Sequence, residues 1–261
     1  MITAEALADQ YFAFAEHASW MCSVRVRNRL ATLLAEDSPL VYRTDDAAIW
    51  LGVGSFFTLY TARSPEALAE AAPAAMAKLA PIARADGAAN SQIFATSAGA
   101  VAAFEGVGYH VQHRAQRLRH AAPGPREIDP RVRAFEPQDL AGIVRVSQEV
   151  FPENHWTDEE WSQPVRNAAH VWVARDGEDI AAFLLADLTA ERLFINGLAV
   201  APTARRRGLA SALVDRAIQA AHDHGRATVD VHANDTVEAM GVYDRAGFHV
   251  MHPIWDLGRD W

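Results

Sequence analysis

Two stretches of this chain repeat each other at one constant offset. VAAFEGVGYHVQHRAQRL, Val101 to Leu118, lies against MGVYDRAGFHVMHPIWDL, Met240 to Leu257. Phe104 meets Tyr243, Gly108-Tyr109-His110-Val111 meets Gly247-Phe248-His249-Val250, and His113 meets His252. Carried back without a gap, the same offset sets TARSPEALAEA (Thr61 to Ala71) opposite VAPTARRRGLA, which starts at Val200. The helix ends near Asp86-Gly87 and His224-Gly225 also fall together. A self-match in a fixed register marks duplicated architecture, so the chain should fold as two copies of one unit. The proline and glycine punctuation of AAPGPREIDP, Ala121 to Pro130, supplies the border. The expected domains are 1–125 and 126–261.

Within the second copy, helical and strand periods alternate. RVRAF reads as a strand and PQDLAGIVRVSQEVF as a helix, with Leu140, Ile143, Val144 and Val146 or Phe151 near helical spacing. HVWVARDGEDIAAFLLADLTAERLFINGLAV reads as three strands, the first two joined by a hairpin at Asp176-Gly177. A helix over 208–223, the strand ATVDVHA, a short helix over 236–245 and a last strand after Gly247-Phe248 complete the order. This predicts an α/β (α+β) class, each copy a twisted mixed sheet flanked by helices.

Half of the 261 residues are hydrophobic, enough for the cores of two such domains. The formal net charge of -9 provides no general field for nucleic acid, and it favours a cationic partner over an acidic one. No apolar run reaches the roughly 18 residues of a membrane span. The first residues carry acids and no basic region, which does not read as a signal peptide. Cys22 is the one cysteine, so an internal disulfide is excluded and a reducing, cytoplasmic setting is expected.

Positive charge is concentrated in one place, Arg205-Arg206-Arg207, just before Gly208 and an apolar helix. Such a run is often a solvated cluster. Here it lies between a strand ending at Val200 and a helix N-terminus, whose orphan N–H groups and dipole suit an anion. Guanidinium forks suit phosphate, and glycine lets the backbone approach it closely. A pyrophosphate, of a nucleotide or of coenzyme A, fits this chemistry. Neither Gly-Lys-Ser/Thr after a glycine-rich run nor G-x-G-x-x-G is present.

Arg205-x-x-Gly208-x-Ala210 after LAVAP resembles motif A of the GCN5-related N-acetyltransferase (GNAT) superfamily, and AMGVYDRAGF resembles its motif B. The resemblance extends over the second domain and makes the chain a tandem protein with a degenerate first copy. It implies acetyl transfer from acetyl-CoA to a primary amine, expected to be that of a small molecule, with no metal. Leu198, Ala199 and Val200 would pair with the pantetheine arm. Arg205, Arg206, Arg207, Gly208, Leu209, Ala210 and Ser211 would hold the pyrophosphate, with Asn234 either reaching the cofactor or capping the short helix. Tyr243 would protonate the departing thiolate, or else serve as a core aromatic. A backbone N–H on the splayed strand would face the oxyanion.

The pattern departs from the family where a carboxylate is usual: that position is Asn196, and a base would have to come from His155, Glu149 or Asp187. The motif-B asparagine position is Thr236. Trp156 and Trp161 read as a wall of the acceptor pocket or as core anchors. His222 and His224 suit a helix C-terminus, and His249 and His252 lie on opposite faces of a strand, so neither pair reads as a metal site. In the first copy Glu66 replaces Arg205, Ala69 replaces Gly208 and Phe104 replaces Tyr243, which removes the anion site and the proton donor. The expected partner is a small-molecule amine, with no nucleic acid or membrane, on a monomer or homodimer. Two alternatives remain: a non-catalytic acyl-CoA-binding or regulatory protein, and an acetyltransferase acting on protein N-termini or lysines.

Overall fold

A computed structural model describes residues 3–13, 24–52, 58–152 and 157–261. Cys22, His155 and Trp156 lie outside them. The chain forms two compact units, one comprising residues 1–116 with 252–261 and the other residues 117–251. The division does not fall in the proline-rich stretch. It cuts two strands, so the last ten residues belong to the first unit.

The first unit holds the helices α1 (Ala4–Ala13) and α2 (Val24–Ala35) and an antiparallel sheet of β1 (Val41–Arg43), β2 (Ala47–Leu51) and β3 (Thr58–Ala62). After these come α3 (Pro65–Ala85), β4 (Asn90–Ala95), α4 (Ala98–Glu105) and β5 (His110–Ala121). Ser64 starts α3 by accepting the Ala67 N–H, and Ser97 starts α4 by accepting that of Ala100. The core gathers Ile49, Leu68, Leu79, Ile93 and Phe104, with Leu257 from the C-terminal strand. That strand runs antiparallel to β4, pairing Asp256 with Phe94. Gln92 Nε2 donates to Asp256 Oδ2 at 2.7 Å, while Oδ1 is buried without a partner. Burial pushes the Asp256 carboxyl up to about 6, against the opposing pull of His113 and Gln92.

The second unit follows the expected alternation. β6 (Val132–Ala134) leads through a 3₁₀ turn at Pro137–Asp139 into α5 (Leu140–Val150), followed by α6 (Asp158–Asn167). β7 (His170–Asp176), β8 (Asp179–Leu188) and β9 (Arg192–Val200) form an antiparallel meander. α7 (Leu209–Asp223), β10 (Thr228–Asn234), α8 (Val237–Arg245) and β11 (His249–Asp260) complete the chain. The strand order is β10-β9-β8-β7-β6, with β5 beside β10. Since β9 and β10 run parallel, the sheet is mixed. α7 turns Leu209, Leu213, Val214, Ala217, Ile218 and Ala221 inward at helical spacing. Leu213 is completely buried, and its truncation to alanine costs roughly 2–5 kcal/mol.

Element order repeats between the halves: β3-α3-β4-α4-β5 in one, β9-α7-β10-α8-β11 in the other. Gly108 and Gly247, matched by the offset, share a φ of 91°.

Candidate functional site

The parallel ladder between β9 and β10 is short. It pairs Arg192 with Thr228, Leu193 with Val229, Phe194 with Asp230 and Ile195 with Val231, and goes no further. On its other edge β9 stays paired with β8 to Val200, but the register shifts from Ala186↔Ile195 to Leu185↔Gly197. Asn196 is thus the extra, exposed residue of a bulge, which bends the strand. Beyond it, Leu198, Ala199 and Val200 keep their β8 partners on one edge, while the ladder to β10 on the other edge has already ended at Ile195. An extended ligand arm can take up such backbone groups as an added strand does.

β9 feeds a 3₁₀ turn at Pro202–Ala204 and then Arg205 in extended conformation. Arg206 follows with φ 64°, one of three non-glycine residues at positive φ among the described residues. A left-handed arginine costs energy that the surrounding structure must supply, a pattern concentrated at binding loops. Gly208, φ 81°, is the N-cap of α7, and no side chain caps the helix. The first intrahelical bond runs from Ala212 N–H to the Gly208 carbonyl at 3.0 Å, so the amides of Leu209, Ala210 and Ser211 precede the hydrogen-bonded turns. By contrast, α3, α4, α6 and α8 are capped by Ser64, Ser97, Thr157 and Thr236.

The three arginines differ in their engagement. Arg205 Nε donates to the Val200 carbonyl at 3.4 Å, folding back on the end of β9. Arg206 is exposed. Arg207 forms an ion pair with Asp176 in the β7–β8 hairpin and donates to the Thr203 carbonyl at 3.2 Å. Arg131, which no motif singles out, donates to the Arg207 carbonyl at 3.2 Å while bound to Asp129 at 2.6 Å. The matching helix start in the first unit is closed: Ser64 caps it, and hydrogen bonds from Ser64 and from its own backbone hold the Glu66 carboxyl below the usual carboxylate range.

Tyr243 lies in the last turn of α8 and is 6% exposed, inside the core that also contains Leu209 and Leu213. Its ring meets Phe248 edge-on at 5.3 Å. Burial raises its pKa well above the ordinary phenol range, so the hydroxyl stays protonated at neutral pH. Asn234 ends β10, exposed; Thr236 caps α8, accepting the Ala239 N–H at 3.3 Å, so capping is not the role of Asn234.

The other candidates lie apart from the loop. Glu149 pairs with Arg145 at 2.9 Å, and Asp187 accepts the Ala169 N–H at 3.4 Å. Trp161 is buried and stacks with Phe151 at 6.1 Å. His222 Nδ1–H donates to the Pro123 carbonyl at 3.1 Å, and His224 is the C-cap of α7. Among the described residues no group of three His, Cys, Asp or Glu side chains could hold a metal, and no helix is long and apolar enough to cross a membrane. A buried charge cluster went unforeseen: Asp230, fully buried on β10, binds Arg119 at 2.7 Å, Arg117 at 2.8 Å and Arg192 at 3.4 Å. Only the fold brings those arginines together.

Residues 138–248 match the model of the acetyltransferase (GNAT) family. Solved structures share the fold over most of the chain. A GCN5-related N-acetyltransferase from Sphaerobacter thermophilus is 18% identical with a TM-score of 0.62, covering 88% of this chain and 85% of that one. One from Kribbella flavida is 12% identical with a TM-score of 0.61, covering 99% and 96%. A tandem GNAT protein from the clavulanic acid biosynthesis pathway is 11% identical with a TM-score of 0.66, covering 99% and 94%. No curated protein matches the chain in sequence. The family match over residues 138–248 supports acyl transfer as the general chemistry, and the solved structures show the fold.

Proposed function

We propose that this chain is a tandem GNAT-type N-acetyltransferase with one acetyl-CoA site, in its second half, and a small-molecule primary amine as acceptor. One observation carries the reading: the uncapped amides of α7, behind a left-handed Arg206 and Gly208, directly follow a strand whose free edge opens at Asn196. The set fits a pyrophosphate joined to an extended arm. Arg205 and Arg206 supply charge at the loop, while Arg207 is spent on Asp176 and braces the loop from the hairpin.

Acetyl-CoA brings an activated thioester; the chain's residues bind it and handle the proton. Tyr243, kept neutral by burial, can donate a hydrogen bond to the sulfur. Because its pKa is raised, complete proton transfer to a thiolate is uphill, so its contribution lies in the developing charge of the transition state. A backbone N–H on the open edge of β9 would stabilise the tetrahedral oxyanion. The first unit's self-capped α3 and Phe104 support the reading that this half keeps the fold without the cofactor site.

Calorimetric titration of acetyl-CoA tests the reading. Expected are one site per chain, loss of binding in Gly208→Glu and no change in Glu66→Ala, followed by thiol release in an amine screen. Two sites per chain would refute the single-site assignment, and no binding would refute the acyl-CoA reading. Asn196 favours a second reading, an acyl-CoA-binding protein without turnover, which predicts binding with no thiol release from any amine.

A further inference from the structure

The residues around the end of α8 make a connected set that the acyl-transfer reading leaves unused. Arg126 Nη2 donates to the carbonyl of Ala246, the C-cap of α8, at 3.3 Å. The same Nη2 lies 3.1 Å from His120 Nε2. Guanidinium only donates, so this contact is a hydrogen bond when Nε2 carries its lone pair. His120 is thereby held as the neutral tautomer with its proton on Nδ1. Burial first, and then the charge of Arg126, lower its pKa in the same direction.

His120 is 8% exposed, and its ring meets Phe248 edge-on at 5.4 Å; Phe248 in turn meets Tyr243 edge-on at 5.3 Å. The backbone closes the same unit, since the amides of Ala246 and Phe248 both donate to the Tyr243 carbonyl, at 3.1 and 3.0 Å. Arg126 is fixed from behind by α7. Its own N–H donates to Gln219 Oε1 at 2.6 Å, and its guanidinium lies 3.9 Å from Asp215.

We propose that Arg126, received by neutral His120, is a positioning residue for Tyr243: it pins the last turn of α8 and the ring series His120–Phe248–Tyr243 that sets where the hydroxyl points. The proposal rests on the acyl-transfer reading. A proton on His120 would place two cations at hydrogen-bond distance and release the pin. The charged and titratable groups facing His120 are Arg126, Asp215 and His249; a backbone hydrogen bond and the charge of Asp215 favour that proton, and the larger influences of burial and Arg126, together with His249, oppose it. The positioning should therefore fail on the acid side of the ordinary histidine range.

The test combines kinetics with a probe of Tyr243 itself. Arg126→Met is expected to lower kcat about tenfold or more, because small displacements of a catalytic group are costly. KM and the calorimetric Kd for acetyl-CoA should stay within about twofold. His120→Gln, which keeps an acceptor, should lose less than His120→Phe. In a Tyr243→Phe background Arg126→Met should add no more than about a twofold loss, since coupled residues are not additive. A full further loss there, or an unchanged kcat in Arg126→Met, would overturn the proposal. With tyrosine labelled at Cζ, the Tyr243 resonance should move in Arg126→Met, and in the wild type on acidification. That readout needs no turnover. If no amine gives thiol release, the functional reading falls, while a Tyr243 resonance unmoved by Arg126→Met would overturn the positioning role.

Discussion

α7 has a glycine at positive φ at each end, and the pair allows the loop's conformation to be separated from its bulk. A Cβ added at Gly208 would meet nothing nearer than Arg131 Nη2 at 3.9 Å, and at Gly225 nothing within 4 Å. Gly208→Ala and Gly225→Ala are therefore sterically free, and both face the left-handed penalty, at φ 81° and 63°. For an alanine this is roughly 1–2 kcal/mol. At Gly225 the whole cost should appear in urea unfolding, with acetyl-CoA affinity unchanged. At Gly208 the unliganded loop can relax and avoid part of the cost, which binding must then restore. Affinity should fall by about 3- to 30-fold, at 1.4 kcal/mol per tenfold, with a correspondingly smaller loss of stability. Calorimetry and urea titration on both variants measure the two parts. Wild-type affinity in Gly208→Ala, or an equal loss in Gly225→Ala, would refute the assignment of the α7 amides to the ligand.

Asp256 provides a test by pH. Its carboxyl titrates at about 6 in the fold against 3.8 ordinarily, so the native state holds the proton longer and stability is lost as pH rises through that window. Asp256→Asn should match the wild type near pH 4 and exceed it above pH 7 by up to about 3 kcal/mol, from 1.36 kcal/mol per unit; a variant less stable than the wild type at pH 8 would contradict this. Tyr243→Phe should bind acetyl-CoA normally and turn over about 10- to 100-fold more slowly, within the range of a single acid–base group. Undiminished kcat would return Tyr243 to the core alone. Arg205→Met should weaken acetyl-CoA binding more than Arg207→Met, because Asp176 already engages Arg207; the reverse order would show that the ion pair opens for the ligand.

The motifs with local causes were legible in the sequence. Strand alternation gave β7 to β9, the Asp-Gly hairpin fell where expected, and Gly208 marked the start of α7 because its conformation excludes other residues cheaply. The division of the chain was not legible. Proline and glycine signal a break in local structure, whereas the compact units depend on strands that the break does not separate. Nor could the sequence show that Asn196 is a bulge residue, since the bulge exists only in its register with β8. Arg131, His120 and Arg126 carry no local signal: each acts on a backbone carbonyl or ring distant in the chain. Asn234 was the cap the sequence suggested for α8; the cap is Thr236, two residues further on, whose hydroxyl accepts the Ala239 N–H.

The amide at Asn196 has a further consequence for the choice of substrate. A site without a carboxylate there does not draw a proton from an incoming ammonium, so on the acyl-transfer reading the acceptor's own basicity becomes a filter. At neutral pH an amine titrating near 7.7–8.0 is free in a fraction several hundredfold larger than one near 10.4. The chain would thus sort amines by acidity as much as by shape, favouring weakly basic ones and passing over the ε-amines of lysine.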